Sequence, residues 1–490
     1  MGRLLVGLLL VVGLAAAVAA AMLLRREPPP PPSVAVLPFA DLSPGRDQGY
    51  LADGVAIEIL NGLSSVDRLR VIGRTSTFLF RGSTLEPTQI ARQLGVTTVL
   101  LGSVRREGSR VRVSARLVNG ADGTALWAET YEKEIRDLFA IQDDIARDVA
   151  SALRVKLLPA AIEPRTELPE AYLAFLAAEE TTRQVSSMED WGRAREGYEK
   201  VIALDPTYAP AWARVATIWG VWQAKLEPRE EDRQAARRRG LEAADRAIAL
   251  APGFGRAYAQ RGFLRLCNQD VAGAQADVTR ALELNPSDDL VVYRTANVFQ
   301  VTGRHADAVR AARRAVDLNP LSSSRWQQLA LVCLAAGDHP CARKAAERAL
   351  EISPSQTQAE EHLAIVNLLD GRAAEVARWA AARPDDYDRL QYTAFAEHAL
   401  GHGAASETAT RAFEAAYGKA APFTMARIEA WRGRSDAAFE WLERARAGGT
   451  ALDALPFLAS DPLFLRLHTD ARWMPFLRLL GIAPATAGSP

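Results

Sequence analysis

The spacing of hydrophobic residues divides the chain into two regions of different periodicity. Between about residues 33 and 158, segments that alternate between apolar and polar positions are interspersed with segments of helical spacing. Alternation with a period of two predicts β-strands, whereas apolar residues at i, i+3 and i+4 predict amphipathic helices. From residue 165 onward the strand-like segments disappear and only the helical spacing remains. The pattern predicts a small α/β domain at 33–158 that is followed by an all-α region.

A six-letter phrase recurs in the helical region at a fixed interval. The phrases "ALELNP", "AVDLNP" and "ALEISP" end at Pro286, Pro320 and Pro354, which lie 34 residues apart, and Pro252 precedes them by the same distance. Proline lacks a backbone N–H and disfavours helix in the residue before it, so each phrase marks the end of a helix. Repeating helix-turn-helix units of this length resemble tetratricopeptide repeats.

The resemblance to tetratricopeptide proteins is strongest from 207 to 354 and weaker on either side. One repeat cannot bury its apolar face alone, so the repeats are expected to stack into a solenoid. We expect tetratricopeptide repeats over 165–354, degenerate helical repeats and a C-terminal cap over 355–483, and a short tail over 484–490.

Sequence blocks in the α/β region also resemble a known family. "VAVLPFADLS", "LADGVAIEILNGLS", "LGVTTVLLGSVRREGSRVRVSARLVNGADGTALWAETYE" and "LFAIQDDIA" occur in this order. They are similar to the TolB amino-terminal-like domain of bacterial envelope and signalling proteins. The resemblance implies a small α/β module without known catalysis, which in its family is often attached to a winged-helix DNA-binding domain or a nucleotide cyclase domain. Only three residues precede Leu4, so we expect neither attachment here.

An uncharged run, Leu4–Leu24, precedes both regions. Its 21 residues, at a helical rise of about 1.5 Å, match the roughly 30 Å hydrocarbon core of a bilayer and predict a transmembrane anchor over 1–27. A cleaved signal peptide is the alternative, because Ala19 and Ala21 fit a small-residue cleavage site. The five prolines at 28–32 predict a polyproline II stalk after the anchor.

These elements together predict a multi-domain fold class: an N-terminal transmembrane helix, a small α/β domain and an all-α tetratricopeptide-repeat solenoid. Because the resembled envelope domain works in the periplasm, we expect a single-pass protein of the bacterial inner membrane with the bulk of the chain in the periplasm. The cytoplasmic side is the alternative, since Arg25 and Arg26 follow the apolar run and such residues are enriched in cytoplasmic flanks.

Charge and cysteine content narrow the possible partners. The chain has 59 basic and 59 acidic residues, so it lacks the basic excess of a nucleic-acid-binding protein, and we expect no nucleic acid partner. Its three cysteines are Cys267, Cys333 and Cys341. One interpretation is that all three are buried thiols. The alternative is a disulfide between Cys333 and Cys341 in an oxidising compartment, because these two residues flank the turn "LAAGDHP".

The sequence lacks the common motifs of catalytic sites. It contains no GxxxxGK[ST], GxSxG, HExxH or paired CxxC motif. Glu397, His398 and His402 are the best candidate metal ligands, but Gly401 interrupts the helix that would have to align the two imidazoles. We expect no metal, no cofactor and no catalytic residue, and hence a protein that is not an enzyme.

The last prediction concerns a binding surface. In stacked helical hairpins the first helices line a concave groove. Tyr293, Asn297 and Gln300 recur at i, i+4 and i+7 on one helical stripe. Comparable places in the neighbouring units hold four further residues, which are Arg256, Phe263, Gln327 and Leu331. This mixture of amide, aromatic and apolar groups suits an extended peptide, or it is ordinary polar surface. The charged residues with which tetratricopeptide clamps bind a terminal carboxylate are not matched.

Two functions follow from these expectations. The first is a non-catalytic, membrane-tethered scaffold that binds protein or peptide partners through the groove of its repeats at the bacterial cell envelope. The second is a regulatory or sensory component of a signalling system, by analogy with the cyclase-linked and winged-helix-linked proteins that carry the same two modules.

Overall fold

The computed structural model describes residues 31–64, 66, 69–155, 164–183, 185, 187–225, 230–448 and 455–482. Its first part contains six strands: β1 Ser33–Val36, β2 Ala40–Asp41, β3 Arg70–Ile72, β4 Thr98–Glu107, β5 Arg110–Asn119 and β6 Ala125–Glu134. The helices of this part are α1 Gly49–Ser64, α2 Arg74–Thr77, α3 Pro87–Leu94 and α4 Leu138–Ala152, with 3-10 turns at Phe78–Phe80 and Ile135–Asp137.

The strands form one mixed sheet in the order β3-β1-β4-β5-β6, with β2 pairing β4. β1 runs parallel to β3 and β4, whereas β4, β5 and β6 form an antiparallel meander. Helices cover both faces of the sheet at β1, because α1 and α4 pack on one face and α3 packs on the other. This double cover explains why Val34, Ala35 and Val36 are all apolar and fully buried.

From Pro169 onward, helices follow one another in pairs. The eight described pairs are α5 Pro169–Arg183 with α6 Met188–Leu204, α7 Ala209–Lys225 with α8 Glu230–Leu250, α9 Gly255–Cys267 with α10 Val271–Leu284, α11 Asp289–Val301 with α12 His305–Leu318, α13 Ser323–Ala335 with α14 His339–Ile352, α15 Thr357–Leu369 with α16 Ala373–Ala381, α17 Asp386–Ala399 with α18 Gly403–Tyr417, and α19 Pro422–Trp431 with α20 Ser435–Gly448. Two 3-10 turns, Leu455–Ser460 and Pro462–Leu467, and helix α21 Trp473–Leu479 end the described chain.

Small residues lie where the two helices of a pair approach closely. A Cβ built at Gly262 on α9 would lie 3.0 Å from Val278 Cγ1 on α10. The equivalent positions in the next two pairs are held by Ala296 and Ala330, which are fully buried. The 34-residue period of the sequence is therefore the period of the helix pairs.

The turn between the two helices of a pair contains a residue in the left-handed conformation. Gly303, Gly337 and Gly371 have φ of 73°, 72° and 76°, and they lie 34 residues apart. Gln269 holds the same place one repeat earlier with φ of 64°. A Cβ disfavours this conformation by about 1–2 kcal/mol, whereas glycine adopts it freely.

Gln269→Gly is therefore expected to raise the free energy of unfolding by about 0.5–1 kcal/mol. This net gain is the relief of backbone strain in the folded state minus the cost of the greater conformational entropy that glycine has in the unfolded state. The reverse change, Gly371→Gln, is expected to lower it, and it isolates the backbone effect because a Cβ at Gly371 meets nothing within 4 Å. Urea unfolding followed by circular dichroism measures both. Equal midpoints for the wild type and the two variants would contradict the assignment of strain to this turn.

The α/β domain packs on the first repeats through helix α1. Gly54 permits this approach, since a Cβ at Gly54 would lie 2.4 Å from Leu176 Cδ1 on α5. One hydrophobic cluster contains buried residues of both parts, from Leu51 on α1 to Trp219 on α7. The α/β domain and the start of the array therefore share a core.

A second contact joins the α/β domain to the turn between α12 and α13. The backbone N–H of Gly73 donates to the carbonyl oxygen of Leu318 at 2.7 Å, and the N–H of Ser76 donates to Oδ1 of Asn319 at 3.3 Å. Leu321 N–H in turn donates to Ser76 Oγ at 3.0 Å. The domain thus binds the array at two places that are far apart along the sequence.

The structure differs from the sequence prediction in its transmembrane element. Within the residues that the structure describes, no helix is both long and apolar enough to cross a lipid bilayer. A spanning helix needs about 20 mostly apolar residues, and the 21-residue helix α8 contains many charged ones. The predicted anchor, Leu4–Leu24, lies outside the described residues. The described fold is a multi-domain helical solenoid with a small sheet domain, and the predictions of a spanning helix and of a single-pass inner-membrane location are wrong for it.

The cysteines follow one of the two alternatives left open by the sequence. Cys333 on α13 and Cys341 on α14 form a disulfide that bridges the turn between the helices of one pair. Cys267 is a buried thiol at the end of α9.

Candidate partner-binding face

Successive repeats contact one another through their first helices. Along the array, α7 contacts α9, α9 contacts α11, α11 contacts α13, and the same relation continues through α15, α17 and α19. The first helices therefore lie on the inner side of the curved array, where their side chains line a concave face. We call this surface the inner face.

The chain itself covers two parts of the inner face. Arg256, at the start of α9, donates from Nε to Asp288 Oδ2 at 2.6 Å and from Nη2 to Oδ1 of Asn61 on α1 at 3.4 Å. Gln300, at the end of α11, is 2% exposed and donates to Ser460 Oγ in the first C-terminal 3-10 turn at 3.1 Å. Two of the residues predicted to bind a partner are thus held by the α/β domain and by the C-terminal turns.

The other predicted residues lie between these two covered parts. Tyr293 is half-buried, and the Arg325 guanidinium stacks over its ring at 4.0 Å from the centroid. Asn297 is 7% exposed, and its Oδ1 accepts from Gln328 Nε2 at 2.7 Å. The remaining predicted residues, which are half-buried on α9 and α13, are Phe263, Gln327 and Leu331. Tyr293 and Asn297 therefore contact α13 of the next repeat, and Gln327 and Leu331 lie on that helix.

Arg294 differs from the other arginines of the inner face. Its guanidinium stacks on the ring of Phe263, with Cζ 3.7 Å from the centroid, and lies 5.4 Å from the centroid of the Tyr293 ring. Its buried Nε has no hydrogen-bond partner, and no carboxylate pairs with it, in the part of the chain that is described. Burial lowers the pKa of Arg294 below its ordinary value, but a guanidinium remains charged at neutral pH. A partly buried positive charge without a counter-ion is costly, and an anionic group bound here would lower that cost.

Three polar residues of the inner face were missed from the sequence. Gln260, Arg294 and Gln328 lie 34 residues apart, at the same position of three consecutive repeats. Gln260 is 1% exposed, and neither of its amide atoms has a partner among the described residues; Gln328 Oε1 also has none there. Aligning polar positions by the 34-residue period, as was done for the helix ends, would have found this row.

The candidate metal ligands do not converge on one point. Helix α17 ends at Ala399, so His398 and His402 belong to different elements. His402 Nδ1 lies 2.7 Å from Glu397 Oε2, whereas His398 Nε2 lies 3.4 Å from a guanidinium nitrogen of Arg466. A positive charge beside His398 opposes the binding of a cation there.

Comparison with known families confirms the repeats that the sequence predicts. Residues 264–323 and 293–357 match the family model described as tetratricopeptide repeat. The C-terminal part of the chain therefore contains tetratricopeptide repeats.

The chain is also similar to a longer protein. It is 40% identical over 193 residues to a protein named putative adenylate cyclase 3 from Rhizobium meliloti (strain 1021). The match covers 38% of this chain and 32% of that protein. The chain thus spans about a third of the length of this curated relative.

Solved structures with low sequence identity match parts of the chain. A tetratricopeptide repeat protein from Parabacteroides merdae ATCC 43184 is 12% identical, with a TM-score of 0.36, over 54% of this chain and 99% of that one. YrrB, described as a TPR protein with an unusual peptide-binding site, is 15% identical, with a TM-score of 0.27, over 40% of this chain and 90% of that one.

Proposed function

We propose that the protein is a non-catalytic scaffold that binds a peptide segment of a partner protein along the inner face between α9 and α13. In this proposal the segment carries an aspartate or glutamate side chain that pairs with Arg294. The observation that supports it is the guanidinium of Arg294, which stacks on Phe263 and has no acidic partner among the described residues. Hydrogen bonds between guanidinium and carboxylate groups are about twice as strong as neutral ones, so this pair gives the partner its register.

The neighbours of Arg294 suit the backbone of an extended segment. Gln328 is 2% exposed and its Nε2 donates to Asn297 Oδ1 at 2.7 Å, which leaves the half-buried amide of Gln327 to bond a peptide backbone. Gln327 and Leu331 are half-buried on the same helix and add amide and apolar surface. Main-chain hydrogen bonds of this kind provide affinity for any sequence, so specificity is expected to come from the acidic residue.

Arg294→Met is expected to weaken binding of the partner segment by about 30-fold or more, the loss that corresponds to about 2 kcal/mol for one charged anchor. Peptides selected from a displayed random library against the full chain serve as the probe, and they are expected to be enriched in aspartate and glutamate. Fluorescence anisotropy with the selected peptides measures the dissociation constants of the wild type and the variant.

The same variant separates a binding role from a structural one. Removing a half-buried guanidinium whose Nε has no acceptor among the described residues is expected to leave the urea midpoint unchanged or to raise it. Arg310→Met is the matched control, because the Arg310 side chain is 73% exposed on the second helix α12. Selected peptides without acidic residues, or equal affinity of Arg294→Met and wild type, would show the proposal to be wrong.

A second candidate function is supported by the relative named putative adenylate cyclase 3. We infer that the region 33–158, whose sequence resembles the TolB amino-terminal-like domain, acts with the repeats as a regulatory component of a signalling system. Adding the purified chain to the purified relative and measuring its product formation tests this inference. An unchanged rate at saturating chain would count against it.

A further inference from the structure

The two sulfurs of the Cys333–Cys341 disulfide lie in different surroundings. Cys333, on α13, is 0% exposed and belongs to a hydrophobic core cluster. Cys341 is the third residue of α14, is half-buried and packs against the same cluster. Cys341 is therefore the member of the pair that an external reagent can reach.

A positive charge lies beside Cys341. Nη2 of Arg313, on α12, is 3.9 Å from Cys341 Sγ, and the Arg313 side chain is 59% exposed. A guanidinium at this distance stabilises the negative charge that a cysteine carries as a thiolate, which is its nucleophilic form. The backbone N–H groups at the start of α14 act in the same direction, because Cys341 lies in the first turn of that helix.

Asp338 is an acidic group close to the same sulfurs, and its charge is partly balanced. A carboxylate oxygen of Asp338 lies within 4.8 Å of both sulfurs. Its Oδ1 accepts from the backbone N–H of Cys341 at 3.1 Å, and its Oδ2 lies 3.9 Å from Nη2 of Arg313. The guanidinium and the start of α14 therefore stand against one carboxylate. A divalent cation suits this position less well, since Arg313 would repel it.

We propose that Cys333 and Cys341 form a redox-active pair that exchanges with small-molecule disulfides and thiols. Cys341 reacts with the external molecule, and Cys333 is the resolving sulfur. The two Cα atoms are 5.8 Å apart, so Cys333 is within reach of a mixed disulfide on Cys341. The pair contains none of the residues assigned to the partner segment, and the proposal therefore goes beyond the proposed function and stands or falls independently of it.

The exchange proceeds in two balanced steps through a mixed disulfide. In the first step the Cys341 thiolate attacks one sulfur of a small disulfide RSSR, whose S–S bond breaks, and one RS⁻ leaves. In the second step the Cys333 thiolate attacks Cys341 Sγ, the mixed disulfide breaks, the internal bridge forms and the second RS⁻ leaves. The two protons that the cysteines release are taken up by the two leaving thiolates. Two cysteine thiols are thus oxidised while one RSSR is reduced to two RSH, and an excess of RSH drives the reverse reaction.

The exchange changes the stability of one repeat. The bridge joins α13 to α14 covalently, and a bridge stabilises a fold mainly by restricting the unfolded chain. The oxidised protein is therefore expected to unfold at a higher urea midpoint than the reduced protein, whereas Cys341→Ser is expected to have the same midpoint under both conditions.

Reaction of the reduced full chain with 2-hydroxyethyl disulfide at pH 7 tests the roles of the two sulfurs. Samples are quenched with iodoacetamide at successive times, and the cysteine-containing peptides are weighed by mass spectrometry. The wild type is expected to end with the internal bridge and Cys333→Ser with a stable mixed disulfide at Cys341. In Cys341→Ser, the buried Cys333 is expected to react at least about tenfold more slowly than Cys341 does in Cys333→Ser. Circular dichroism checks that both reduced variants are as helical as the reduced wild type.

Arg313→Met provides a second variant that leaves both cysteines in place. It is expected to slow the modification of Cys341 by about twofold to fivefold, because the loss of thiolate is partly offset by the greater nucleophilicity of the thiolate that remains. Arg310→Met is the matched control, since Arg310 lies on the same helix with a side chain that is 73% exposed. The probe is uncharged, so neither variant changes its attraction to the protein. Equal rates at Cys333 and Cys341 in the single variants, equal rates for Arg313→Met and Arg310→Met, or a wild type that keeps the mixed disulfide would overturn the proposal.

Discussion

Glu179→Ala is expected to lower the free energy of unfolding by about 3 kcal/mol, because it removes a buried carboxylate and leaves two partly buried guanidinium groups without their counterion. Glu179 lies on α5, where its carboxylate accepts from Arg74 of the α/β domain and from Arg214 and Tyr198 of the array. Urea unfolding at pH 7, followed by circular dichroism, measures the loss. Glu189→Ala is the control, since the Glu189 side chain is 83% exposed and its ion pair with Arg193 contributes little.

The pH dependence gives an independent check on Glu179. Burial alone would raise its pKa, but the charges of Arg214 and Arg74 and the hydrogen bond from Tyr198 outweigh burial and lower the pKa from 4.5 to about 2. A carboxyl group whose pKa is lower in the folded state stabilises that state above the unfolded pKa. This contribution is therefore lost as the pH falls from 4.5 towards 2. An acid unfolding curve of Glu179→Ala that runs parallel to that of the wild type in this window would contradict the assignment.

Opposite pH slopes are expected for two variants on α15, Glu361→Gln and His362→Gln. Burial raises the pKa of Glu361 from 4.5 to about 7, with Asp388 adding to the rise and Arg427 opposing it. Burial and the charge of Arg427 lower the pKa of His362 from 6.5 to about 4, while a backbone hydrogen bond with Gln327 opposes the change. The folded state therefore holds an extra proton at Glu361 between pH 4.5 and 7, whereas the unfolded state holds one at the histidine between pH 4 and 6.5.

The signs follow from proton linkage. Stability from Glu361 is complete below pH 4.5 and is lost as the pH rises through 7, whereas stability from His362 is complete above pH 6.5 and is lost as the pH falls through 4. Between pH 5 and 6.5 the two effects nearly cancel in the wild type. Glu361→Gln is expected to gain stability with rising pH and His362→Gln to lose it, each by about 1 kcal/mol per pH unit. Urea midpoints measured across this range test both, and slopes of the same sign would disprove the pairing.

Local patterns in the sequence predicted the elements of this structure. The prolines at the ends of α10, α12 and α14 marked the period because their effect on the helix is local. The alternation of apolar and polar residues over β5 likewise predicted a strand. The contacts of the α/β domain with the array escaped prediction, because Ser76 and Asn319 are 243 residues apart and neither belongs to a repeating pattern.

Contacts between residues far apart in the sequence also limited the prediction of the candidate site. Tyr293 and Asn297 were predicted together because one helical stripe contains both, but the contact that holds Gln300 to Ser460 joins residues 160 apart. In the sequence, nothing distinguishes Arg294 from the other arginines of the chain. Only its stacking on Phe263 and the absence of an acidic neighbour among the described residues distinguish it.

The two contacts of the α/β domain with Leu176 and Asn319 have a mechanical consequence. A solenoid of stacked repeats behaves as a spring, since small rotations between neighbours change its pitch. The domain bridges four repeats, from α5 to the end of α12. Stretching the array over these repeats would break the hydrogen bonds of Gly73 and Ser76. The inner face over these repeats would therefore keep a fixed length. A binding segment would be selected by its length as well as by its charge.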